Sequence, residues 1–327
     1  MRVLITARIP EEIVSTIRSE HEIEINEFER PMDRADLLAR VRDKEGLLCT
    51  ISDRVDKELL TNAPLLKMIA NYGVGFDHID LDAATARAIL VSNTPGVLTD
   101  ATAELTFALI LAVARRVVEG DQRTRKGHFR FWAPLLFLGR QVTGKTLGII
   151  GFGQIGKAVA RRATGFDMRV LYYSRTRLDA SIEQKLSVEH RGLDDLLTES
   201  DFVSLHVPLT DKTLHMIGAR ELNLMKRSAY LINAARGPVV NERELVEALR
   251  AGKIAGAGLD VYENEPKLTP GLVDLENVVL LPHVGSATVE TRTRMGEMAA
   301  ENLLAGLRSQ TPPNCLNCSR LASVKAR

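Results

Sequence analysis

The hexapeptide Gly151-Phe152-Gly153-Gln154-Ile155-Gly156 constrains this 327-residue chain more than any other stretch. It follows the apolar run Thr146-Leu147-Gly148-Ile149-Ile150 and opens a helical pattern over 157–165, so it reads as strand, turn and helix. A bare glycine turn would serve any tight connection, but this context is what dinucleotide binding demands. Gly151 permits the sharp reversal, Gly153 lets the backbone approach a pyrophosphate, and Gly156 lets helix and strand pack closely. Gln154 and Ile155 complete the candidate cofactor turn, where the helix N-terminus offers free N–H groups to an anion.

The turn belongs to a series of alternating elements. Strands are expected at 146–150, 169–173, 202–206, 229–233, 255–260 and 278–281, several of them continuous apolar runs of the kind covered on both faces. An earlier series places strands at 3–6, 22–25, 46–49, 67–71 and 89–92, with helical patterns at 11–19 and 34–42. That first series carries no phosphate-binding turn and is assigned to the substrate. A helix is expected over 100–126, capped by Thr99 or Asp100. The apolar stretch 129–138 follows no period; it is either a loop packed on its own domain or an arm embracing a partner subunit. A last helix over 287–307 is expected to return to the first domain. The fold class is therefore α/β with two parallel-sheet domains. A dinucleotide-binding domain (99–286) is inserted into a discontinuous substrate domain (1–98 plus 287–327), and the length suits two domains.

Composition narrows the function by exclusion. Lys and Arg number 43 against 42 Asp and Glu, which leaves no basic footprint for nucleic acid. The longest apolar run, 105–114, is about half a membrane span, and the N-terminus has no signal-peptide pattern. Three Cys are too few for a disulfide framework, so a cytoplasmic protein is expected. Cys315 and Cys318 form a C-x-x-C with no second pair and no nearby His, and no metal or redox role is assigned to them. Cys49 reads as a small buried hydrophobe.

Cofactor choice should lie just past the second strand of the inserted domain. NAD-specific sites place an acid there for the ribose 2′-OH. This chain has Ser174-Arg175-Thr176-Arg177 and no acid before Asp179. Two guanidiniums and two hydroxyls suit the 2′-phosphate of NADP, with NAD as the alternative.

Ligands bind beyond the carboxyl ends of strands in such sheets, so the residues that follow each strand nominate the rest of the site. They are His206 and Pro208, then Ala234, Ala235, Arg236, then Asp260 with Glu265 just beyond, and finally His283 and Gly285. A cation, a carboxylate and an imidazole on one edge match hydride transfer to a 2-oxo acid. The substrate carboxylate needs a bidentate guanidinium, and the carbonyl oxygen needs a proton from His. Glu beside His holds its tautomer.

Taken with Tyr72-Gly73-Val74-Gly75-Phe76-Asp77-His78-Ile79-Asp80 and Asn93-Thr94-Pro95-Gly96, these motifs resemble the D-2-hydroxyacid dehydrogenases, most of all the glyoxylate/hydroxypyruvate reductases, over roughly residues 1–316. The resemblance implies two Rossmann- or flavodoxin-like domains with the site in the cleft, and a homodimer formed largely through 100–138. It implies that Arg236 binds and polarises a small 2-oxo acid, Glu265 orients His283, and His283 is the acid/base. Asp260 would contact the nicotinamide carboxamide side, and the N–H groups of Val74 and Gly75 would hold the substrate carboxylate. Formate dehydrogenases of the family differ at the position of Glu265, and phosphoglycerate dehydrogenases often carry an appended regulatory domain for which this chain is too short. The alternative is an NAD(H)-binding corepressor-type module on the same fold. A hydrolase related to adenosylhomocysteinase ranks last. The tail from Cys318 matches nothing in the resemblance.

Overall fold

The computed structural model describes residues 1–325, with side chains through Leu321; residues 326 and 327, assigned above to the tail of the substrate domain, lie outside the described residues. Along the chain run β1 (Arg2–Ile5), α1 (Glu11–Arg18), β2 (Glu22–Ile25), α2 (Arg34–Arg40), β3 (Gly46–Cys49), α3 (Lys57–Asn62), β4 (Met68–Asn71), α4 (Leu81–Ala86) and β5 (Leu90–Ser92). Next come α5 (Thr99–Ala114), α6 (Val117–Arg125), β6 (Thr146–Ile150), α7 (Gln154–Ala163), β7 (Arg169–Tyr173), α8 (Ala180–Leu186), β8 (Val188–His190), α9 (Leu193–Glu199) and β9 (Phe202–Leu205). The chain closes with α10 (Ala219–Leu224), β10 (Tyr230–Asn233), α11 (Glu242–Arg250), β11 (Gly256–Leu259), β12 (Val278–Leu280), α12 (Val289–Leu307) and α13 (Cys318–Lys325).

Two compact units result: Met1–Leu98 with Ala287–Arg327, and Thr99–Ser286. The first holds a five-stranded sheet in the order β2-β1-β3-β4-β5, and every pairing is parallel. The second holds a seven-stranded sheet, β12-β11-β10-β9-β6-β7-β8, again wholly parallel. The first order is flavodoxin-like and the second is the doubly wound Rossmann order, whose strand direction of travel reverses between β6 and β9.

Apolar stripes explain why the helices lie where they do. Helix α1 buries Ile13, Val14 and Ile17 on one face. Helix α12 buries Met295, Ala299, Leu303 and Leu307 at helical spacing. Leu303 and Leu307 close on Gly46 of β3, where an added Cβ would meet them at 3.2 and 3.1 Å. Each fully buried Leu or Ile contributes about 1.5–3 kcal/mol relative to exposure.

Three sequence expectations need correction. The helix expected over 100–126 is two helices: Thr99 and Asp100 already lie within α5, and Arg116 breaks the run in the left-handed region at φ 54°. The guanidinium of Arg116 is bonded to Glu119 and lies 4.1 Å from the centre of the Phe137 ring, which holds the break in place. Strand β8 has no counterpart among the expected strands. Its three residues include the exposed Glu189 and pair only with β7 at the sheet edge, so no apolar run marks it. Finally, Cys315 and Cys318 are joined as a disulfide, a local bridge that the reading of three cysteines as too few for a framework did not provide for. The residues between them are tied to β5: the Leu316 amide donates to Val91 O at 2.7 Å, and the side chain of fully buried Asn317 accepts from the Val91 amide at 3.0 Å. Among the described residues no helix is long and apolar enough to cross a membrane.

Candidate active site

The glycine turn sits at the sheet's reversal point in the second unit. Gly151 adopts φ +95°, and a Cβ there would lie 2.5 Å from the carbonyl oxygen of His206, so the loops after β6 and β9 meet through a residue that must be glycine. At Gly156 a Cβ would lie 2.3 Å from Gly151 O, which ties the helix closely to the turn. A Cβ at Gly153 would meet no protein atom within 4 Å, so packing does not require a glycine there. The approach of a phosphate would. No side chain caps α7 at Gly153, so its first N–H groups, starting at Gln154 and Ile155, point outward as an anion-binding end. These residues fit a dinucleotide pyrophosphate.

The loop after β7 is less uniform than the sequence implied. Arg177 donates from Nε and Nη2 to the two oxygens of Glu183, at 2.9 and 2.8 Å, and the same carboxylate accepts from buried Tyr172 at 2.6 Å. Glu183 is held at about 2 by these two partners, led by Arg177. Arg175 is exposed and makes no ion pair among the described residues. Ser174 bonds the carbonyl of Thr176 at 2.6 Å. His206 is neutral, because burial drives its pKa down to about 3, and its Nε2 lies 2.8 Å from Ser204 Oγ. Pro208 follows it on the same loop.

Beyond β10, the side chain of Asn233 bonds the Ala235 amide and the Arg236 carbonyl, at 3.1 and 2.9 Å, which shapes the turn Ala234-Ala235-Arg236. Beyond β12, the His283 backbone is left-handed at φ 53°, and its amide donates to Asp260 O at 2.8 Å. Asp260, only 1% exposed, accepts from the amides of Val284 at 2.7 Å and Gly285 at 2.8 Å. Burial raises its pKa, and the two amides and the nearby His283 oppose that rise. Asp260 thus fixes the loop that carries His283, a task additional to the nicotinamide contact expected from sequence.

His283 Nδ1 lies 2.8 Å from Glu265 Oε2, while Glu265 Oε1 accepts the Tyr262 amide at 2.9 Å. A carboxylate partner assigns the proton to Nδ1 and leaves Nε2 for other work. Burial acts to raise the Glu265 pKa, but the His283 hydrogen bond and charge, the Tyr262 amide and the charge of Arg236 outweigh it and leave the carboxyl below its ordinary value. Arg236 is half-buried and donates to Ala235 O at 2.8 Å. Guanidinium, carboxylate and imidazole therefore share one electrostatic environment, the arrangement a 2-oxo acid reduction requires.

In the first unit, the turn after β4 aims its carbonyls inward. Asn71 bonds Gly73 O and Gly75 O at 3.0 and 2.7 Å, and Asn93 bonds Val74 O at 2.8 Å. His78 steadies Asn71 from 3.2 Å. Among the described residues the Val74 and Gly75 N–H groups donate to no protein acceptor, so they form an outward pair suited to an anion. Sequence reasoning passed over Asn71 and quoted Asn93 only as part of a motif, without a role; an Asn at the end of each strand, before the turn that follows, is the signal that could have assigned them one.

The signature of the D-isomer specific 2-hydroxyacid dehydrogenase NAD-binding domain matches residues 107–285. The chain belongs to this family of oxidoreductases. A glyoxylate reductase of Thermococcus litoralis is 52% identical over 326 residues, 98% of each chain. A solved protein of Thermus thermophilus superposes with a TM-score of 0.89 at 48% identity, covering 97% of this chain and all of that one. An NADPH-dependent glyoxylate/hydroxypyruvate reductase from Sinorhizobium meliloti, solved with NADP and malonate, gives a TM-score of 0.84 at 34% identity over 96% of each chain.

Proposed function

We propose that the chain reduces glyoxylate, and hydroxypyruvate with it, to the D-2-hydroxy acid, with His283 as the acid, Glu265 as its orienting partner and Arg236 as the substrate anchor. The carrying observation is the 2.8 Å contact between His283 Nδ1 and Glu265 Oε2, which reserves Nε2–H for a substrate oxygen. Relatives named glyoxylate reductase at about half identity support the substrate class.

In this reading the N–H groups of Val74 and Gly75 hold the substrate carboxylate, and the fork of Arg236 binds carboxylate and carbonyl together. The Gly151–Gly156 turn would hold the pyrophosphate of the cofactor, with Ala234, Ala235, Asp260 and Gly285 along its nicotinamide end and His206 and Pro208 beside it. When bound, the reduced nicotinamide supplies the hydride. His283 Nε2 donates its proton to the carbonyl oxygen as negative charge develops there, and Glu265 stabilises the imidazolium that donates it. Arg175 with Ser174 and Thr176 favours NADP over NAD.

A homodimer is part of the proposal. Phe129, Phe131, Trp132 and Leu135 are 68, 65, 78 and 84% exposed on one segment, an apolar surface that a second subunit would cover.

The deciding experiment is a panel of glyoxylate, hydroxypyruvate and pyruvate, each with NADPH and NADH, followed by absorbance of the reduced cofactor. Oxidation of NADPH fastest with glyoxylate or hydroxypyruvate is expected. Absence of turnover with every pair would overturn the reading and favour a ligand-binding module.

A further inference from the structure

The loop that carries Glu265 bears a second carboxylate two residues earlier, and it is bonded as elaborately as the first. Glu263 Oε1 lies 2.7 Å from His215 Nε2, and Glu263 Oε2 accepts the backbone N–H of Glu242 at 3.1 Å. Glu242 returns the contact: its Oε1 accepts the backbone N–H of Glu263 at 2.7 Å, and its Oε2 accepts the Thr269 hydroxyl at 2.6 Å. Each glutamate thus holds the other's main chain. Glu242 is 1% exposed. A carboxylate that far from water persists only where it is hydrogen-bonded on this scale.

The two main chains joined in this way are the ones that carry the site. Glu242 opens α11, six residues after Arg236 on the loop beyond β10, and Glu263 stands on the loop beyond β11. Between them the backbones touch directly, since a Cβ at Gly237 would lie 1.9 Å from the carbonyl carbon of Tyr262. His215 brings in the loop beyond β9, and its amide donates to Pro238 O at 2.8 Å. Ile217 and Val239 continue that seam, with an amide-to-carbonyl bond of 3.0 Å.

We infer that Glu242 and Glu263 are positioning residues for the reaction: their reciprocal clamp sets the distance from Arg236 to Glu265, and through Glu265 the place of the His283 ring. This rests on the reading of Arg236, Glu265 and His283 given above. Neither glutamate touches a reacting atom. Their effect is registration of the substrate anchor against the proton donor, where a displacement of about 1 Å costs roughly a hundredfold in rate.

The test compares Glu263→Ala, Glu263→Gln and His283→Ala with the wild type, reading kcat and KM for glyoxylate, NADPH affinity by fluorescence and Tm. Glu263→Ala removes the acceptors for the Glu242 amide and His215. It is expected to lower kcat/KM by roughly ten- to a hundredfold while NADPH affinity stays within about twofold. Glu263→Gln keeps an oxygen for the Glu242 amide and an NH₂ for His215, and should restore most of the activity. Wild-type kinetics in Glu263→Ala beside an inactive His283→Ala would overturn this inference alone. So would parallel loss of NADPH affinity, Tm and kcat, or a Glu263→Gln as poor as the alanine variant. An active His283→Ala would overturn the site reading and this inference with it.

Discussion

Arg177 closes Nε and Nη2 on the two oxygens of Glu183, whereas Arg175 makes no ion pair among the described residues, so the two arginines of the Ser174–Arg177 segment are not equivalent. If the cofactor is NADP, as proposed, Arg175 is the one of the two left without a carboxylate partner and so available to a 2′-phosphate. Arg175→Ala should weaken NADPH by about tenfold or more, as for one lost charged hydrogen bond, and leave NADH within about twofold. Arg177→Ala should instead lower Tm and change both affinities in equal proportion. Titration of each variant with the two reduced cofactors checks this, and a wild type that prefers NADH sinks the cofactor proposal.

The same Glu183 sets a pH dependence. Its pKa of about 2 lies below the ordinary glutamate value, so the stability it contributes is complete above about pH 4.5 and is lost as pH falls through 2. Glu183→Gln removes the charge alone. Its Tm should sit a few degrees below the wild type at pH 7, and the gap should close on approaching pH 2. A gap that does not vary with pH would show that the charge contributes nothing.

If Glu265 acts only through His283, the two are not additive. His283→Ala should lower kcat by roughly a hundredfold or more with cofactor affinity unchanged. Adding Glu265→Gln to it should cost little further, whereas Glu265→Gln alone should cost clearly. Full additivity in steady-state kinetics would separate their roles.

Arg236→Lys keeps the charge and loses the planar fork. A fall in kcat/KM of roughly a hundredfold is expected, carried mostly by KM for the oxo acid. Kinetics close to wild type would remove Arg236 from the substrate.

Thiol counting tests the disulfide. Cys49 is fully buried and burial raises its thiol pKa well above the ordinary value, and Cys315 and Cys318 are joined. A thiol-reactive chromogen should therefore find none in the native protein, one after denaturation, and three after denaturation with reduction. Three before reduction would exclude the bond.

What was legible in the sequence follows from how local each signal is. Thr146–Ile150 with its glycine turn is contiguous, and so are the apolar runs that became β3, β9 and β10. The break at Arg116 was hidden because Ala114-Arg115-Arg116-Val117 contains neither Gly nor Pro; its cause is a cation over Phe137, which lies 21 residues on. The partners Glu242 and Glu263 are separated by the same interval and sit in ordinary polar surroundings. No spacing rule brings two such residues together. The disulfide was missed for another reason: three cysteines argue against a framework, but composition cannot exclude one local bridge.

The bonds from Leu316 and Asn317 to β5, and the cover that α12 gives to β3, have a consequence for synthesis. A chain leaving the ribosome presents the first five strands early, yet α12 and the residues after it that complete their unit emerge only once all of residues 99–286 have been made. Residues 99–286 form a contiguous unit whose strands are all present before α12 emerges. The usual N-to-C order of domain folding is thereby inverted. The nascent N-terminal sheet must wait, with Gly46 and Met68 uncovered, until α12 emerges to close over it.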